Sequence, residues 1–377
     1  MYDRLFQFPN KSCFLFGPRG VGKSSLIRDR FSSAIIIDLL KSETYNYLKA
    51  NPTRIEEYID ADTSGIVVID EVQKIPELLD EVHRLIEARK VQFILSGSSA
   101  RQLRQKGVNL LAGRARVMHL HPLLAEELQE NFSLTHSLQY GFLPAVYVED
   151  DPEDFLQSYV RTYIDEEVKQ EGLTRNISSF YRFLEAASFS QGSPLNMSSV
   201  ARECSVHRKV VTEYFNILED LLLANRLAVF SEKAKRAMRP RLKFYFFDSG
   251  VYRAIRPKGP LDAPEEIDGI ALETIVYQQL RAHNDYYQLG YELFYWHTRD
   301  DDFEVDFVLY GERGIKAFEV KRSKHISGKD LKGLKAFKKD YPDSDTYLLY
   351  GGEDKLQKGG ITALPVEEFL TMMGEYV

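Results

Sequence analysis

A glycine-rich segment near the N-terminus has the residue types and spacing of a phosphate-binding loop. The pattern G-x-x-x-x-G-K-[ST] is matched by Gly17, Gly22, Lys23 and Ser24. The apolar run CFLF precedes the loop and the helix-forming segment SSLIRD follows it, which is the context that this motif requires. Glycines let backbone N–H groups curl around phosphate oxygens, and a helix N-terminus adds positive charge. The residues predicted to contact a nucleotide are Gly17, Pro18, Arg19, Gly20, Val21, Gly22, Lys23, Ser24 and Ser25.

A pair of acids ends a second apolar run, GIVVIDEV, and complements the loop. Beside bound ATP, Lys23 would reach the β and γ phosphates, and Ser24 and Asp70 would hold Mg²⁺. Glu71 would polarise the water that attacks the γ phosphate. An acid at a strand end is by itself equally typical of a cap. The combination of loop and acid pair predicts a catalytic site that binds and hydrolyses ATP, with Lys23 and Glu71 as catalytic residues.

Two further polar positions are candidates for contacts with the nucleotide. The run VQFILSGSSA is expected to lie between the two strands, which places Ser96 or Ser98 near the γ phosphate, and Ser96 is preferred because it ends the strand. The segment LAGRAR supplies Arg114 and Arg116. Either arginine could stabilise charge in the transition state, within the same chain or in a neighbouring copy. The second arrangement would make the protein a homo-oligomer, and surface arginines are the alternative interpretation.

Acids and a lysine in the C-terminal part suggest a second site. Glu273 lies on a predicted helix, Asp306 in the strand FEVDFVLY, and Glu319 and Lys321 in IKAFEVKRS. Side chains two residues apart on a strand share a face, so Glu319 and Lys321 lie together. Carboxylates that hold divalent cations beside a lysine are suited to phosphodiester hydrolysis. The alternatives are a strand with solvated charges and a nuclease fold kept only for docking.

Basic residues are concentrated in two segments although the formal net charge is -7. Residues 321–339 contain eight Lys or Arg against one acid, and residues 232–243 contain six against one. A helix over the first segment would expose Lys332, Lys335 and Lys339, a spacing suited to phosphate contacts. Solvated lysines on an ordinary helix would give the same pattern.

A helix, a tight turn, a second helix and a short strand are predicted over residues 196–230, the order found in a winged helix-turn-helix. His207, Arg208 and Lys209 open the second helix, where contacts with a DNA groove or with phosphates are usually made. A winged helix that binds protein is the alternative. With the basic segments, this pattern predicts a nucleic-acid partner, and DNA is favoured.

The composition of the 377 residues is that of a folded protein, with 44% hydrophobic and 28% charged residues. No segment approaches the about 18 apolar residues of a membrane span. The N-terminal residues MYDRLFQFPN lack an apolar leader, so we expect a cytoplasmic protein without membrane partners. Cys13 and Cys204 are far apart in sequence and suggest neither a disulfide framework nor a zinc cluster.

Over residues 1–125 the chain resembles the AAA-type ATPases of bacteria and archaea. The order of its remaining parts is similar to a family in which this ATPase is fused to a helical connector, a winged helix and a restriction-endonuclease-like domain. The resemblance implies an α/β fold whose N-terminal parallel sheet separates the strand of Asp70 from the strand before the loop. The implied parts are an ATPase core at 1–125, a helical lid or connector at 126–195, a winged helix-turn-helix at 196–240 and a nuclease-like α/β domain at 241–377.

The C-terminal acids resemble the PD-(D/E)xK nucleases. That resemblance implies that Asp306 and Glu319 bind Mg²⁺ or Mn²⁺, that Lys321 is the catalytic lysine, and that Glu273 is the upstream helical acid of the metal site. The departure from the pattern is that no proline precedes Asp306, a proline that is often absent in this superfamily.

Three functions compete at this point. The leading hypothesis is an ATPase whose nucleotide state controls a C-terminal metal-dependent nuclease-like module that acts on nucleic acid. The alternative is a signalling or scaffold ATPase whose C-terminal domains bind a partner without cleaving it. A GTPase or a small-molecule kinase is disfavoured because no NKxD-like guanine selector occurs and Glu71 is placed to activate water.

Overall fold

The chain folds into two compact units. The computed structural model describes residues 2–59, 65–99, 103, 113–163, 166, 168, 177–231, 242–260, 262–298 and 303–377. The N-terminal unit comprises Arg4–Pro122 and Asp220–Leu223. The C-terminal unit comprises Met1–Asp3, Leu123–Glu219 and Ala224–Val377.

A five-stranded parallel sheet forms the centre of the N-terminal unit. Its strands are β1 (Cys13–Phe16), β2 (Ile35–Asp38), β3 (Ile66–Asp70), β4 (Gln92–Gly97) and β5 (Arg116–His119). Their spatial order is β2-β3-β4-β1-β5. The prediction that the strand of Ser96 lies between the other two is therefore confirmed. In parallel strands the carboxyl ends meet at one edge of the sheet, so the loop after β1 and the acids at the end of β3 come together there.

Among the described residues of this unit, the α-helices with defined bounds are α1 (Lys23–Arg30), α2 (Ser42–Ala50) and α3 (Leu78–Arg89). Helix α3 buries Leu78, Val82 and Leu85, whose spacing places them on one face. These side chains join the hydrophobic core with β-strand residues such as Phe93. The sheet is thereby fixed, and the loops at its carboxyl edge are held on a rigid base.

Helices dominate the first part of the C-terminal unit, as predicted for residues 126–195. Within the described ranges, the α-helices with defined bounds are α4 (Ala125–Leu128), α5 (Leu134–Tyr140), α6 (Pro152–Ser158), α7 (Ile177–Ser188), α8 (Met197–Glu203), α9 (Arg208–Asp220), α10 (Ser249–Ile255), α11 (Pro264–Tyr286), α12 (Lys332–Asp340) and α13 (Val366–Thr371), and a π-helix covers Tyr159–Tyr163. No helix among the described residues combines the length and apolar character needed to cross a bilayer.

An eight-stranded mixed sheet organises the rest of this unit. Its strands are β6 (Ala224–Val229), β7 (Lys243–Phe246), β8 (Glu292–His297), β9 (Glu304–Gly311), β10 (Gly314–Lys321), β11 (Asp345–Tyr350), β12 (Leu356–Lys358) and β13 (Ile361–Pro365), in the order β12-β13-β11-β10-β9-β8-β6-β7. Helix α11 packs Leu272, Val276 and Leu280 into the core formed with Phe307 and Phe318. This packing fixes the helix that carries Glu273 against the central strands β9 and β10.

The predicted order of helix, turn, helix and strand is present as α8, α9 and β6. Strand β6 pairs with β7 and also with β8. One sheet therefore contains strands from both sides of the predicted domain boundary between segments 196–240 and 241–377. The segments 126–195, 196–240 and 241–377 fall in the C-terminal unit, apart from Asp220–Leu223, which belongs to the N-terminal unit. Their separation into domains stays a prediction from the sequence.

Candidate functional site

The loop between β1 and α1 depends on glycine at positions where a side chain would be strained. Gly20 has a φ of 81° and Gly22 a φ of 93°, a region that other residues rarely adopt. A Cβ atom on Gly17 would lie 2.4 Å from the carbonyl oxygen of Leu120. The loop therefore curls tightly over the end of β5 and directs its backbone toward the N-terminus of α1.

Lys23 is held inside this loop. Its side chain is buried, and Nζ donates hydrogen bonds to the carbonyl oxygens of Gly17 at 2.6 Å and Pro18 at 3.0 Å. An ammonium in this position is surrounded by the backbone that the motif assigns to phosphate binding.

Arg4 supports the loop through hydrogen bonds to backbone carbonyl oxygens, a role that was not predicted from the sequence. Its Nη1 donates to the carbonyl oxygen of Val21 at 2.8 Å, and its Nη2 donates to that of His121 at 2.6 Å. The side chain is buried, so these charge-assisted bonds are shielded from water. Arg4 thus ties the loop to the segment that follows β5. An isolated arginine in an N-terminal segment gives no sequence signal for this role.

Asp70 joins the loop to strand β4. Ser24 Oγ donates to Asp70 Oδ2 at 2.9 Å, and Ser96 Oγ donates to Asp70 Oδ1. The structure therefore brings Ser24, Asp70 and Ser96 together, and Ser96 contacts the acid itself. A hydroxyl next to a carboxylate supplies the hard oxygen ligands that Mg²⁺ prefers, so these residues fit the cation. The assignment of Ser24 and Asp70 as its ligands stays a prediction.

Glu71 adopts a left-handed backbone conformation, with a φ of 61°, directly after β3. Such a conformation is strained in a residue with a side chain and is frequent at functional sites. Burial raises the pKa of the Glu71 carboxyl, and the Lys23 ammonium acts in the opposite direction. A carboxylate whose proton affinity is increased is a better acceptor for a proton from water.

Gln73 orients the Glu71 carboxylate and is a second residue that the sequence did not reveal. Its Nε2 donates to Glu71 Oε2 and also to Ser98 Oγ at 3.1 Å. The side chain is buried against Gly97, where a Cβ would lie 2.4 Å from Gln73 Oε1. Ser98, the other serine that the sequence predicted near the γ phosphate, is thus linked to Glu71 through this amide.

The arginine candidates lie elsewhere on the same unit. Arg114 is exposed and donates from Nε to Glu87 on α3. Arg116 begins β5 and is also exposed. A role for either residue in stabilising transition-state charge stays a prediction.

The C-terminal acids meet where β9, β10 and α11 adjoin. Asp306 Oδ2 accepts a hydrogen bond from the backbone N–H of Val320 at 2.8 Å. Glu319 and Lys321 flank Val320 in β10, and Lys321 Nζ lies 2.6 Å from Glu319 Oε1. Tyr245 on β7 donates its hydroxyl to Glu273 Oε2 at 3.3 Å. We call Glu273, Asp306, Glu319 and Lys321, with Lys243 of β7, the carboxylate cluster.

Charges in the carboxylate cluster perturb one another because they are buried. Burial and the neighbouring Asp306 raise the pKa of both Glu273 and Glu319 to about 8. Burial alone would lower the pKa of Lys321, but Asp306 and Glu319 outweigh it, and the pKa is raised. Glu319 Oε2 is buried and has no hydrogen-bond partner within the described ranges. An unsatisfied carboxylate oxygen beside another acid fits a divalent cation.

The arrangement of the acids does not by itself form a metal site. Among the residues that the structure describes, no group of three or more His, Cys, Asp or Glu side chains is arranged to hold a metal ion. The roles of Glu273, Asp306 and Glu319 as metal ligands, and of Lys321 as catalytic lysine, therefore stay predictions.

Lys243 belongs to the cluster and not to a basic surface. It was counted with the six basic residues of 232–243, yet it is 1% exposed. Its Nζ donates to Glu304 and lies 4.0 Å from Asp306 Oδ1. The expectation of a phosphate contact from this residue is wrong, because tertiary packing places it inside the unit. Residues 232–241, which carry the other five, lie outside the described residues.

We expect the buried acids to make the protein less stable as the pH rises from about 4.5 to about 8. In this window the folded state binds protons more tightly than the unfolded chain, so raising the pH favours unfolding. Glu319→Gln should remove part of this dependence, with a slope difference of up to ~1.4 kcal/mol per pH unit. Thermal unfolding in metal-free buffer at pH 6 and pH 8 measures it. The exposed Glu312→Gln is the control, and identical slopes in both variants would contradict the prediction.

Exposed basic residues are present where the sequence placed them. Lys332, Lys335 and Lys339 are exposed on α12, opposite its buried Leu334 and Phe337. His207, Arg208 and Lys209 are exposed at the start of α9. Their contact with nucleic acid stays a prediction.

Three protein-family models match separate parts of the chain. A model described as an AAA domain matches residues 9–129. This match supports a P-loop domain of the AAA type in the N-terminal part of the chain. Residues 131–262 match a domain of unknown function, DUF8612, and residues 268–369 match another, DUF4143. The AAA match includes the loop and both acids, Asp70 and Glu71.

Relatives of known sequence or structure add little on function. Proteins of Mycobacterium tuberculosis and Mycobacterium bovis, both described as uncharacterized, are 23% identical over 370 residues, which is 95% of this chain and 80% of each relative. Among solved structures, the Aeropyrum pernix Orc1 protein in complex with DNA aligns with a TM-score of 0.26 and 15% identity, covering 66% of this chain and 87% of Orc1. A TM-score of this size does not establish a shared fold.

Proposed function

We propose that this chain binds and hydrolyses ATP in its N-terminal unit and acts on nucleic acid through its C-terminal unit, with the nucleotide state controlling a nuclease-like site. The observation that carries the ATPase part is the 2.9 Å hydrogen bond between Ser24 Oγ and Asp70 Oδ2. It joins the phosphate loop to the acidic strand end, and Glu71 follows immediately in the chain.

The triphosphate would be bound by the loop backbone and the N-terminus of α1. Lys23 would give up its bonds to Gly17 and Pro18 and contact the β and γ phosphates. Ser24 and Asp70 would hold Mg²⁺, which neutralises charge on the phosphates when bound. Arg4 holds the loop at Val21, because its guanidinium donates a hydrogen bond to the Val21 carbonyl oxygen.

Glu71 would accept a proton from the attacking water. The oxygen of that water forms a bond to the γ phosphorus as the bond to the ADP oxygen breaks, and the proton moves to the carboxylate. Gln73 would keep that carboxylate in one orientation through its Nε2 hydrogen bond. The raised pKa of Glu71 favours this transfer.

Glu71→Gln tests this assignment. The amide keeps the size of the side chain but does not accept the proton, so ATP turnover should fall about 100-fold while ATP binding is kept. Phosphate release and ATP affinity are measured together. Glu77→Gln, an exposed acid paired with Lys49, serves as the matched control. Normal turnover by Glu71→Gln would show that Glu71 is not the base.

The carboxylate cluster supports a nuclease-like role for the C-terminal unit. Asp306 and Glu319 would hold a divalent cation, with Glu273 as the acid on the helix. The bound Mg²⁺ or Mn²⁺ would supply Lewis-acid activation of the phosphodiester. Lys321 would stabilise negative charge on the phosphate as water attacks, and its ion pair with Glu319 keeps it at the site. The oxygen of the water would bond to phosphorus as the bond to the 3′ or 5′ oxygen breaks, with the proton of the water passing to solvent and the leaving oxygen taking a proton from solvent.

Nucleic acid is the proposed partner because one exposed lysine follows β10 and three more lie on α12. Lys324, Lys332, Lys335 and Lys339 are exposed. Contacts of this kind are electrostatic and weaken with salt. The exposed first turn of α9 would add further contacts in the manner of a winged helix. Arg114 is proposed to act on the nucleotide, in its own chain or from a second copy.

A second candidate function is favoured by the burial of the cluster. Asp306 is 5% exposed and Glu319 is 8% exposed, which shields both from a phosphodiester in this conformation. A signalling or scaffold ATPase that binds a partner without cleaving it would use the same units. Nucleotide-dependent partner binding without strand cleavage in Mg²⁺ or Mn²⁺ would favour this alternative.

A further inference from the structure

Phe189 is an exposed aromatic residue on a loop that hydrogen bonds hold in place. It follows α7 directly, and it is 52% exposed. Two residues later, the buried Gln191 side chain donates from Nε2 to Thr274 Oγ1 at 2.7 Å and accepts the Phe246 N–H with Oε1 at 3.0 Å. These bonds tie the loop to α11 and to β7. The ring is therefore displayed from a fixed position, so a ligand that stacks on it does not have to order the loop.

Arg256 covers one face of the Phe189 ring. Its Cζ lies over the ring, 4.1 Å from the centroid, in the geometry of a cation–π interaction. Its Nη2 donates to Asp262 Oδ1 at 3.0 Å, which fixes the guanidinium in this position. The ring stays half exposed in spite of this contact. A flat group from a ligand can therefore stack on the ring. We call Phe189 and Arg256 the aromatic platform.

The loop that carries the aromatic platform also contacts the carboxylate cluster. Gly192 lies three residues after Phe189 and has a φ of 73°. A Cβ atom on Gly192 would lie 3.1 Å from Glu273 Oε2. Three residues span at most about 11 Å of chain, the length of about three bases stacked at 3.4 Å each. A strand that reaches Glu273 is therefore close enough to place one of its bases on Phe189.

Arginines give this surface an excess of positive charge. Arg253 Nη1 and Arg322 Nη2 contact the two carboxylate oxygens of Asp268, at 2.6 Å and 3.0 Å. Together with the pair of Arg256 and Asp262, three arginines are opposed by two aspartates in these ion pairs. Within the described ranges, Nε of Arg253 and Nε of Arg256 have no hydrogen-bond partner. A cationic surface beside a flat ring matches a nucleotide, which joins a phosphate to a flat base.

We propose that Phe189 stacks on an unpaired base, with Arg256 on the other face of its ring, and that the C-terminal unit binds single-stranded nucleic acid beside the carboxylate cluster. This inference rests on the proposed nucleic-acid partner and names its class, and it requires no metal ion. In a duplex each base is stacked between its neighbours, so a base must first be unstacked before it can contact a protein ring. The contact is tolerant of sequence because every base has a π face.

Binding of fluorescently labelled oligonucleotides to the nucleotide-free, full-length protein in EDTA tests the proposal. At one fixed salt concentration, wild type should bind a DNA single strand at least about tenfold more tightly than the duplex of the same sequence. Phe189→Ala should weaken binding of the single strand about tenfold and change binding of the duplex less than about twofold. Phe189→Trp retains a ring that can stack and should bind like wild type. Fluorescence anisotropy measures all four affinities.

Tyr287→Ala is the matched control, because Tyr287 is an aromatic residue of the same unit that is 47% exposed. It should bind both oligonucleotides like wild type. A strand that contains 2-aminopurine reports stacking directly, since its fluorescence should be quenched by wild type and by Phe189→Trp but not by Phe189→Ala. This signal distinguishes a stacking contact from a structural role of Phe189.

Equal binding of the single strand by wild type and Phe189→Ala, or equal quenching of 2-aminopurine by both, would overturn this inference and leave the nucleic-acid partner in place. Failure of wild type to bind either the single strand or the duplex would instead overturn the nucleic-acid part of the proposed function. In that case the aromatic platform would be assigned to a protein partner.

Discussion

Lys23→Met is expected to lower kcat/KM for ATP hydrolysis by about 1,000-fold, the upper range for removing one charged donor to a reacting group. The change keeps the length of the side chain and removes the ammonium that the loop holds between the carbonyls of Gly17 and Pro18. Phosphate release as a function of ATP concentration measures the effect.

Lys11→Met is the matched control, because Lys11 is an exposed lysine shortly before β1. It should leave kcat/KM within about twofold of wild type. Retained hydrolysis by Lys23→Met would mean that another group neutralises the phosphates, and the loop would lose its assigned role. Thermal unfolding of both variants shows whether either change has altered the fold.

Lys321→Met and Asp306→Asn are expected to lower cleavage of DNA in Mn²⁺ by about 1,000-fold each, because the first removes charge stabilisation and the second weakens the cation site. Both residues belong to one cluster, so the double variant should lose little more than either single variant. Conversion of supercoiled plasmid to nicked and linear forms measures cleavage. ATP turnover in the same preparations should stay near the wild-type value.

Lys316→Met provides the comparison for this experiment, since Lys316 lies on the same strand as Lys321 and pairs with Asp345. Its cleavage rate should match that of wild type. Cleavage that survives both Lys321→Met and Asp306→Asn would remove the nuclease assignment. Absence of cleavage by wild type, together with ATP-dependent partner binding, would favour the scaffold function.

Local patterns predicted the N-terminal unit well. The loop motif, the acid pair and the interposed strand of Ser96 each depend on residues close in sequence or on the carboxyl ends of parallel strands. These constraints leave little freedom, and the strand order β2-β3-β4-β1-β5 agrees with them. The family match to an AAA domain over residues 9–129 confirms the assignment at this level.

Contacts between distant residues were not predictable in the same way. Arg4 bonds a carbonyl 117 residues away, that of His121. Lys243 pairs with Glu304 across 61 residues of sequence. Neither arginine nor lysine reveals from its neighbours whether it will be buried, because its partners are brought to it only by the fold. Gln73 is close to Glu71 in sequence, but an amide two residues after an acid has no distinctive pattern.

The C-terminal unit was predicted in part, because some of its features depend on local pattern and others on long-range packing. Period-two alternation correctly placed Glu319 and Lys321 on one face of a strand, and their ion pair follows from that. The sequence order of helix, turn, helix and strand was also correct. Alternation gave no indication that β6 would extend the same sheet as β8 and β9, because strand pairing depends on long-range packing.

Equilibrium binding of ATP to the purified wild-type protein, measured by calorimetry in the presence of Mg²⁺, tests the central claim most directly. We predict saturable binding of one ATP per chain, displaced by ADP and abolished by Lys23→Met. The absence of saturable binding, or equal binding by wild type and Lys23→Met, would contradict the claim that the loop after β1 holds a triphosphate.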